Sequence, residues 1–323
     1  MLDLSIIIVS YNTRDLLLQC IESAIESLDE ARAMGEFSTS ARAISRGYEI
    51  IVVDNASSDS SAPAVRKYFP EVRLIANEFN RGFSAANNQA LAISQGRYLL
   101  FLNPDMLVRH MAIAELMLFL NRYPRVGMVT GSLREPDGSL QHSAFHFPTL
   151  WMALLDYFPV SYRLLNSALN GRYPYKAYRR PFEIDHPLGA CMMVRREVIE
   201  RVGGFSEDFF LYCEEIDWAM RIKQDGWRIF CQPEAVFVHY GGQSTRQEPD
   251  NTFLYLWRSR LILFKKHYNP AYRVMAKVIM AFGLWAEQAR WARRYLQGEI
   301  SADRFQARGE AHKEALGLLK ELG

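Results

Sequence analysis

Several acids and one imidazole in this chain stand where an apolar run stops. Asp105 closes Arg97-Tyr-Leu-Leu-Phe-Leu-Asn-Pro-Asp105, and Asp54 follows Glu49-Ile-Ile-Val-Val53 at the head of Asp54-Asn-Ala-Ser-Ser-Asp59. Glu214, Glu215 and Asp217 open a helical pattern after Phe209-Phe-Leu-Tyr212, and His239 follows Ala235-Val-Phe-Val238. The carboxyl end of a buried strand is the edge where open α/β sheets bind ligands. A carboxylate there can hold a hard divalent cation whose shell a phosphate completes. Pro104 cannot continue a ladder, so Asp105 is aimed out of the strand. Taken alone, Asn103-Pro104-Asp105 reads equally well as an Asx-type turn. Capping by the helix macrodipole accounts for one or two of the acids. Four such features at strand ends and a helix start make a constellation that capping does not explain.

The elements that must position these groups follow a strand–helix rhythm. Leu4–Val9 is a continuous β-branched run, the pattern of a strand buried on both faces. Thr13 can cap the next helix, which turns Leu16, Leu17, Cys20, Ile21, Ala24 and Ile25 inward. From Ala31 to Gly47 small and polar residues predict a surface loop or a helix extension. Strands at Glu49–Val53, Val72–Ala76 and Tyr98–Leu102 alternate with helices at Ala62–Phe69, Gly82–Ser94 and Ile113–Leu120. The spacing predicts an α/β fold with a mostly parallel sheet and helices on both faces. Val126–Thr130 continues the rhythm and Glu135-Pro-Asp-Gly138 is a turn, whereas Gln141–Arg180 reads as an aromatic-rich insertion. Further strands are expected at His186–Val194, Arg228–Phe230 and Ala235–Val238, with a helix from Arg195 to Gly203-Gly204 and another at Glu214–Gln224. From Thr252 onward the pattern is helical.

Composition narrows the class. At 323 residues one large domain with an appendage is expected. The net charge of +2 gives no sign of nucleic-acid binding. From Asp250 onward, however, 13 Lys and Arg stand against 7 Asp and Glu, so the body is mildly acidic and the tail basic. Cys20, Cys191, Cys213 and Cys231 are scattered without paired spacing, which predicts reduced thiols rather than a zinc site or a disulfide framework. The first apolar run is short and lacks a basic leader, and no run approaches the roughly 20 apolar residues a membrane span requires. A cytoplasmic protein, peripheral on the inner face of the membrane where its tail contacts lipid, is the expectation.

The motifs, taken in order, resemble family 2 inverting glycosyltransferases, and most of all their rhamnosyltransferase-type branch. Ser5-Ile-Ile-Ile-Val-Ser-Tyr-Asn12, Val53-Asp-Asn-Ala-Ser-Ser-Asp59, Asn80-Arg-Gly-Phe-Ser-Ala-Ala-Asn-Asn88 and Asn103-Pro-Asp105 carry the resemblance. Gly203-Gly-Phe-Ser-Glu-Asp-Phe-Phe-Leu211, Glu214-Glu-Ile-Asp217 and His239-Tyr-Gly-Gly-Gln-Ser244 continue it, over roughly residues 4 to 268. Each motif is moderately specific; their ordered combination is highly specific. The resemblance implies a GT-A-like, Rossmann-type domain over residues 1–250 that binds a nucleotide sugar and performs catalysis. Residues 251–323 then form a helical C-terminal segment.

What the resemblance implies for single residues is chemically coherent. Asp54 matches the position that accepts the ring N3–H of uracil or thymine, with Tyr11 and Asn12 lining the same pocket. Asp105 matches the second acid of the family's metal motif and coordinates Mg²⁺ or Mn²⁺, while Asn103 replaces the first acid, as is usual in this branch. The metal then acts as a Lewis acid on the leaving diphosphate. His239 matches a histidine that adds a ligand, imidazole suiting Mn²⁺ better than Mg²⁺. Glu215 stands where the family usually has the aspartate base; it is a methylene longer but of the right basicity. Glu214 competes for that role, and Asp217 can instead orient the helix or pair with Arg221. Arg81 is a candidate partner of the diphosphate, or a surface salt-bridge arginine. His142, Phe145, His146, Phe147 and Trp151 either stack on acceptor sugars or pack.

The expected reaction moves a sugar, with dTDP-rhamnose as favoured donor, to a hydroxyl of a glycan or lipid-linked acceptor in cell-wall or surface-polysaccharide synthesis. Arg273–Leu296 mixes tryptophans with basic residues, which fits an anionic membrane surface, and fits a homo-oligomer or domain interface almost as well. Two alternatives stand beside this reading. A sugar nucleotidyltransferase would carry a glycine- and basic-rich loop after the first strand, and Ser10-Tyr-Asn-Thr13 is not one. A catalytically inactive sugar-nucleotide or glycan-binding protein is suggested by Glu215 in place of aspartate.

Overall fold

Continuous apolar runs become central strands here, because a strand covered by helices on both faces has no reason to alternate. A computed structural model describes residues 2–33, 46–158, 161–243, 247 and 249–322. Most of the loop expected at Ala31–Gly47 lies outside them. In chain order the first elements are β1 (Leu2–Ser10), α1 (Arg14–Ala33), β2 (Tyr48–Asp54), α2 (Ser61–Tyr68), β3 (Arg73–Ala76), α3 (Gly82–Ile93) and β4 (Gly96–Leu102). Next come β5 (Met106–Val108), α4 (Ala112–Arg122), β6 (Val126–Arg134), β7 (Leu140–Gln141), β8 (Ala144–Phe145) and α5 (Leu150–Tyr157). After short 3-10 turns follow β9 (Phe182–Glu183), β10 (His186–Pro187), β11 (Cys191–Arg195), α6 (Arg196–Val202), α7 (Glu214–Gln224) and β12 (Arg228–His239). The chain ends in α8 (Pro249–His267), α9 (Pro270–Leu296) and α10 (Ala302–Leu318).

The chain divides into two compact units. The first holds Met1–Phe145, Tyr175–Glu207 and Glu214–Ser244 and contains the main sheet, in the order β3-β2-β1-β4-β11-β6-β12-β5. β3, β2, β1 and β4 run parallel, as do β6 and β12, while β11 is antiparallel to both neighbours and β5 to β12. Alternate side chains serve the two faces. Ile6, Ile8, Ile50, Val52 and Leu100 join a core with Leu17, Ile21 and Leu28 of α1 and Leu116 and Leu120 of α4. On the opposite face Phe101 meets Phe205 and Trp218 of α7 edge-on, at 5.1 and 5.3 Å between ring centroids.

Three expected details differ. His186–Val194 is not one strand: Pro187 has no amide for a central ladder, so β10 pairs with β8 and the chain turns at Leu188–Ala190 before β11 begins. Arg228–Phe230 and Ala235–Val238 are one strand, β12, whose register jumps between Gln232 and Val236, so that a bulge absorbs Pro233. The first amide of α1, on Arg14, is taken at 2.7 Å by Asp59 from the next loop, while the Thr13 hydroxyl pairs with Ser10.

The second unit holds His146–Pro174, Asp208–Cys213 and Thr245–Gly323. Tyr157, Trp257, Leu261, Phe264, Ala276, Met280 and Leu284 form its core. Glu287 on α9 faces Arg308 and His312 on α10, at 2.8 and 3.6 Å. No helix among the described residues is long and apolar enough to cross a membrane. Burial works to raise the Glu287 pKa, but the hydrogen bonds and charges of His312 and Arg308 outweigh it and hold the carboxyl at about 2. Its stabilisation is therefore complete above the ordinary glutamate range near pH 4.3 and lost as pH falls toward 2. Glu287→Gln should lower the unfolding midpoint at pH 7, and the gap to wild type should close between pH 5 and pH 2, as followed by circular dichroism in urea.

Candidate active site

Two groups of residues form at the carboxyl end of the sheet, and strand register builds both. In the first, Ser10 at the end of β1 lies opposite Asp54 at the end of β2, and Ala76 flanks Asp54 on β3. Asp54 is buried, its Oδ2 accepts the Ser57 amide at 3.3 Å, and its Oδ1 has no hydrogen-bond partner among the described residues. Burial, only partly offset by the Ser57 hydrogen bonds, raises its pKa. A buried carboxylate oxygen without a donor is a free-energy cost that a ligand N–H would remove.

The loop around Asp54 is held by amides. Asn12 sits at φ 51°, a left-handed conformation asparagine tolerates, and its Oδ1 accepts the Ser58 amide at 2.7 Å. Its own amide donates to the Ser57 hydroxyl at 2.9 Å. Tyr11, half-buried, is next to Ser10 in this loop. Asn55 is the hub that sequence reasoning missed. Its Oδ1 accepts from the Arg81 amide at 3.0 Å and from Asn77, and its Nδ2 donates to Asn80 at 2.7 Å and to the Gly82 carbonyl. The Arg81 backbone thus joins the Asp54 loop, while its exposed guanidinium lies 5.0 Å above the Phe79 ring.

The second group centres on Asp105. β5 and β12 are antiparallel with Met106 opposite His239, and the Tyr240 amide donates to the Asp105 carbonyl at 3.0 Å. This brings His239 Nε2 to 3.4 Å from Asp105 Oδ1, both side chains buried. On the ring's other side Nδ1 lies 2.8 Å from Gln141 Oε1, and Gln141 Nε2 donates to Glu135 at 2.8 Å. Glu135 and Gln141 were not among the expected site residues. The signal was there in the Glu135–Gly138 turn, which closes with Gly138 at φ 85° and puts the two residues across a hairpin. One carboxylate and one imidazole suit a Mg²⁺ or Mn²⁺ site that takes its remaining ligands from phosphate. No cluster of three or more His, Cys, Asp or Glu suited to a metal occurs among the described residues.

Glu215 is tied to this second group through backbone. Gly189 lies against it: a Cβ there would meet Glu215 Cβ and Cγ at 3.6 Å. The next residue, Ala190, accepts the Asn103 amide at 2.9 Å and so anchors the Asn103-Pro104-Asp105 turn. Glu214, beside it, is buried with Oε2 unpartnered among the described residues. Burial and the like charge of Glu215 push its pKa well above the ordinary carboxylate range. The two residues just before α7, Tyr212 and Cys213, both have positive φ, an unusual backbone for such side chains.

Asp217 does pair with Arg221, at 2.8 Å one turn along α7. The guanidinium also donates to the carbonyls of Val202 and Gly204, and the Trp218 ring N–H donates to Gly203. Gly203 has φ 84°, and a Cβ on Gly204 would lie 2.6 Å from Asn88 Oδ1, so both glycines are required where this turn crosses α3. His142 and Phe145 pack on Tyr175 and His186 within the first unit, and His146 on Tyr173 within the second, whereas Trp151 is exposed.

Comparison with known proteins places this geometry. The glycosyl transferase family 2 model matches residues 5–203. Among curated relatives, an N-acetylglucosaminyl-diphospho-decaprenol L-rhamnosyltransferase of Mycobacterium tuberculosis is 27% identical over 273 residues, 78% of this chain and 81% of that protein. The rhamnosyltransferase WbbL of Escherichia coli is 27% identical over 232 residues, 67% of this chain and 84% of its own. A mannosyltransferase from Pyrobaculum calidifontis, solved with GDP-Man and Mn²⁺, aligns with a TM-score of 0.54 at 18% identity, covering 100% of this chain and 87% of that one. The chain belongs to glycosyl transferase family 2: it is a glycosyltransferase with a GT-A-like α/β fold, and rhamnosyltransferases are among its relatives.

Arg221 is an ion-pair partner of a fully buried acid, so its loss removes a counter-charge 2.8 Å from it. Arg221→Met should destabilise the chain by about 3 to 5 kcal/mol in urea unfolding, and adding Asp217→Asn should recover much of it.

Proposed function

We propose that this chain moves a sugar from a nucleoside diphosphate to an acceptor hydroxyl in a single inverting displacement. The favoured donor is dTDP-rhamnose, the acceptor a glycan or lipid-linked glycan in cell-wall or surface-polysaccharide assembly. The observation that carries this reading is the backbone path from Glu215 through Gly189 and Ala190 to the turn bearing Asp105, with His239 against it. That path supports a carboxylate base acting beside a cation-binding corner. The rhamnosyltransferase names among the relatives support the sugar, and the decaprenol-linked substrate in one of them supports a lipid-linked acceptor.

Each residue then has a task. Asp54 Oδ1, without a donor among the described residues, accepts the ring N3–H of the base, and Asn12 and Asn55 hold its loop with Tyr11 alongside. Asp54 and the end of β4 are two strand spacings apart, about 10 Å, so the nucleoside spans β1 to bring its diphosphate to Asn103 and Asp105. Arg81 pairs with the diphosphate. Asp105 and His239 hold Mg²⁺ or Mn²⁺, which when bound supplies charge stabilisation to the departing diphosphate. Glu215 takes the proton of the acceptor hydroxyl as that oxygen bonds to the anomeric carbon and the bond to the diphosphate breaks. Burial and the like charge of Glu215 raise the Glu214 pKa, which favours Glu215 over Glu214 as the base.

Glu215→Gln should lower kcat roughly 100- to 10,000-fold with the donor KM little changed, as read by release of dTDP from dTDP-rhamnose with Mn²⁺. Glu214→Gln should retain most turnover. The opposite pattern would move the base to Glu214, and donor binding without turnover in the wild-type chain would favour a sugar-nucleotide-binding protein.

For the second unit we propose docking on an anionic bilayer. Val274, Met275, Val278, Phe282 and Trp285 are all more than half exposed and recur at helical spacing along one stripe of α9. Lys277, Arg293 and Arg294 lie on the same helix, and the segment from Asp250 carries the basic surplus. Apolar side chains entering the headgroup region beside cations are the chemistry of an interfacial helix. Wild-type protein should pellet with vesicles rich in phosphatidylglycerol and remain in solution with neutral ones, and Phe282→Ser with Trp285→Ser should cut the bound fraction several-fold. A solution dimer that the same double substitution dissociates, with no vesicle binding, would assign the stripe to self-association instead.

A further inference from the structure

We propose that Gln141 and Glu135 are positioning residues that lock the tautomer of His239, so that its Nε2 lone pair faces the cation shared with Asp105. This rests on the reading of Asp105 and His239 as the cation corner. Strand register makes the arrangement. Arg134 at the end of β6 lies opposite Val238 on β12 and opposite Leu140 on β7. One step on in the parallel pair sets Glu135 beside His239, and in the antiparallel hairpin Gln141, opposite Leu133, lies on the same face as Glu135 and diagonal to it.

Hydrogen-bond chemistry then fixes the direction of every contact. An ionised carboxylate only accepts, so Glu135 requires the amide nitrogen of Gln141 to face it, as it does at 2.8 Å. The amide oxygen must point the other way, and it lies 2.8 Å from His239 Nδ1. An amide oxygen also only accepts, so Nδ1 carries the hydrogen. In the neutral ring the lone pair is therefore on Nε2, which lies 3.4 Å from Asp105 Oδ1. Two acceptors facing each other at that distance repel unless something positive joins them. Without the Glu135 carboxylate the Gln141 amide could rotate, offer its nitrogen to Nδ1 and move the hydrogen to Nε2, where it would block the corner. A relay that sets ligand orientation in this way typically changes metal affinity 10- to 100-fold when broken.

The test uses the full chain labelled with ¹⁵N-histidine. Without metal, long-range ¹H–¹⁵N spectra should show neutral His239 protonated on Nδ1, assigned by loss of the signal in His239→Ala. Gln141→Leu and Glu135→Leu should shift it toward the Nε2–H form, whereas Glu135→Gln, which keeps an acceptor, should hold the wild-type tautomer. In parallel, electron paramagnetic resonance titration of Mn²⁺ with dTDP should show the dissociation constant rising about 10- to 100-fold in the two leucine variants and little in Glu135→Gln. A wild-type ring protonated on Nε2, or a tautomer unchanged by Gln141→Leu, would overturn the proposal. A correct tautomer in a chain that does not bind Mn²⁺ with dTDP would uphold the lock and overturn the cation corner instead.

Discussion

A carboxylate withdrawn from water must find donors or a cation, or else it shifts toward its neutral form. This chain buries several, and the way it treats them separates scaffold from site. Asp217 is answered by Arg221, which also holds the Gly203-Gly204 turn. Half-buried Asp59 is satisfied by the amides of Arg14 and Ser61. Asp54 and Glu214 are instead left with one oxygen each unpartnered among the described residues, and both have raised pKa values. Asp105 faces an imidazole nitrogen across 3.4 Å. The unanswered acids lie at the carboxyl end of the sheet and the start of α7, where a ligand can complete what the fold leaves open.

The parallel half of the sheet was legible because β1, β2 and β4 carry uninterrupted apolar runs, and a run such as Leu4–Val9 has few other folds available. Each acid was visible as a charge ending such a run. Hidden from the sequence were the partners from distant segments. Asn55 looks like one more small polar loop residue until its contacts with Asn77, Asn80 and the Arg81 amide are seen. Gln141 falls in a stretch with weak periodicity, and only the pairing of β6 with both β7 and β12 brings it to His239. The departures at Pro187 and Pro233 share a cause: a missing amide displaces a ladder locally, and sequence pattern alone does not say whether the chain turns or bulges.

The two units divide the physical tasks. The first has a core covered on both faces of its sheet and sets side chains through strand register, which resists movement because a one-residue slip would exchange the faces. The second is helical, held by its own aromatic core and by the Glu287, Arg308 and His312 cluster, and it leaves an apolar stripe of α9 in solvent. Contacts that fix the candidate catalytic groups, from Gly189 to Arg221, lie within the first unit.

The central claim is that Asp54 and Asp105 are completed by one nucleoside diphosphate and one divalent cation. A crystal structure of the full chain with dTDP and Mn²⁺ tests it most directly. The account predicts the thymine N3–H within hydrogen-bond distance of Asp54 Oδ1, with Mn²⁺ bound by Asp105, His239 and diphosphate oxygens. A nucleotide bound away from Asp54, or a cation held without Asp105, would contradict it.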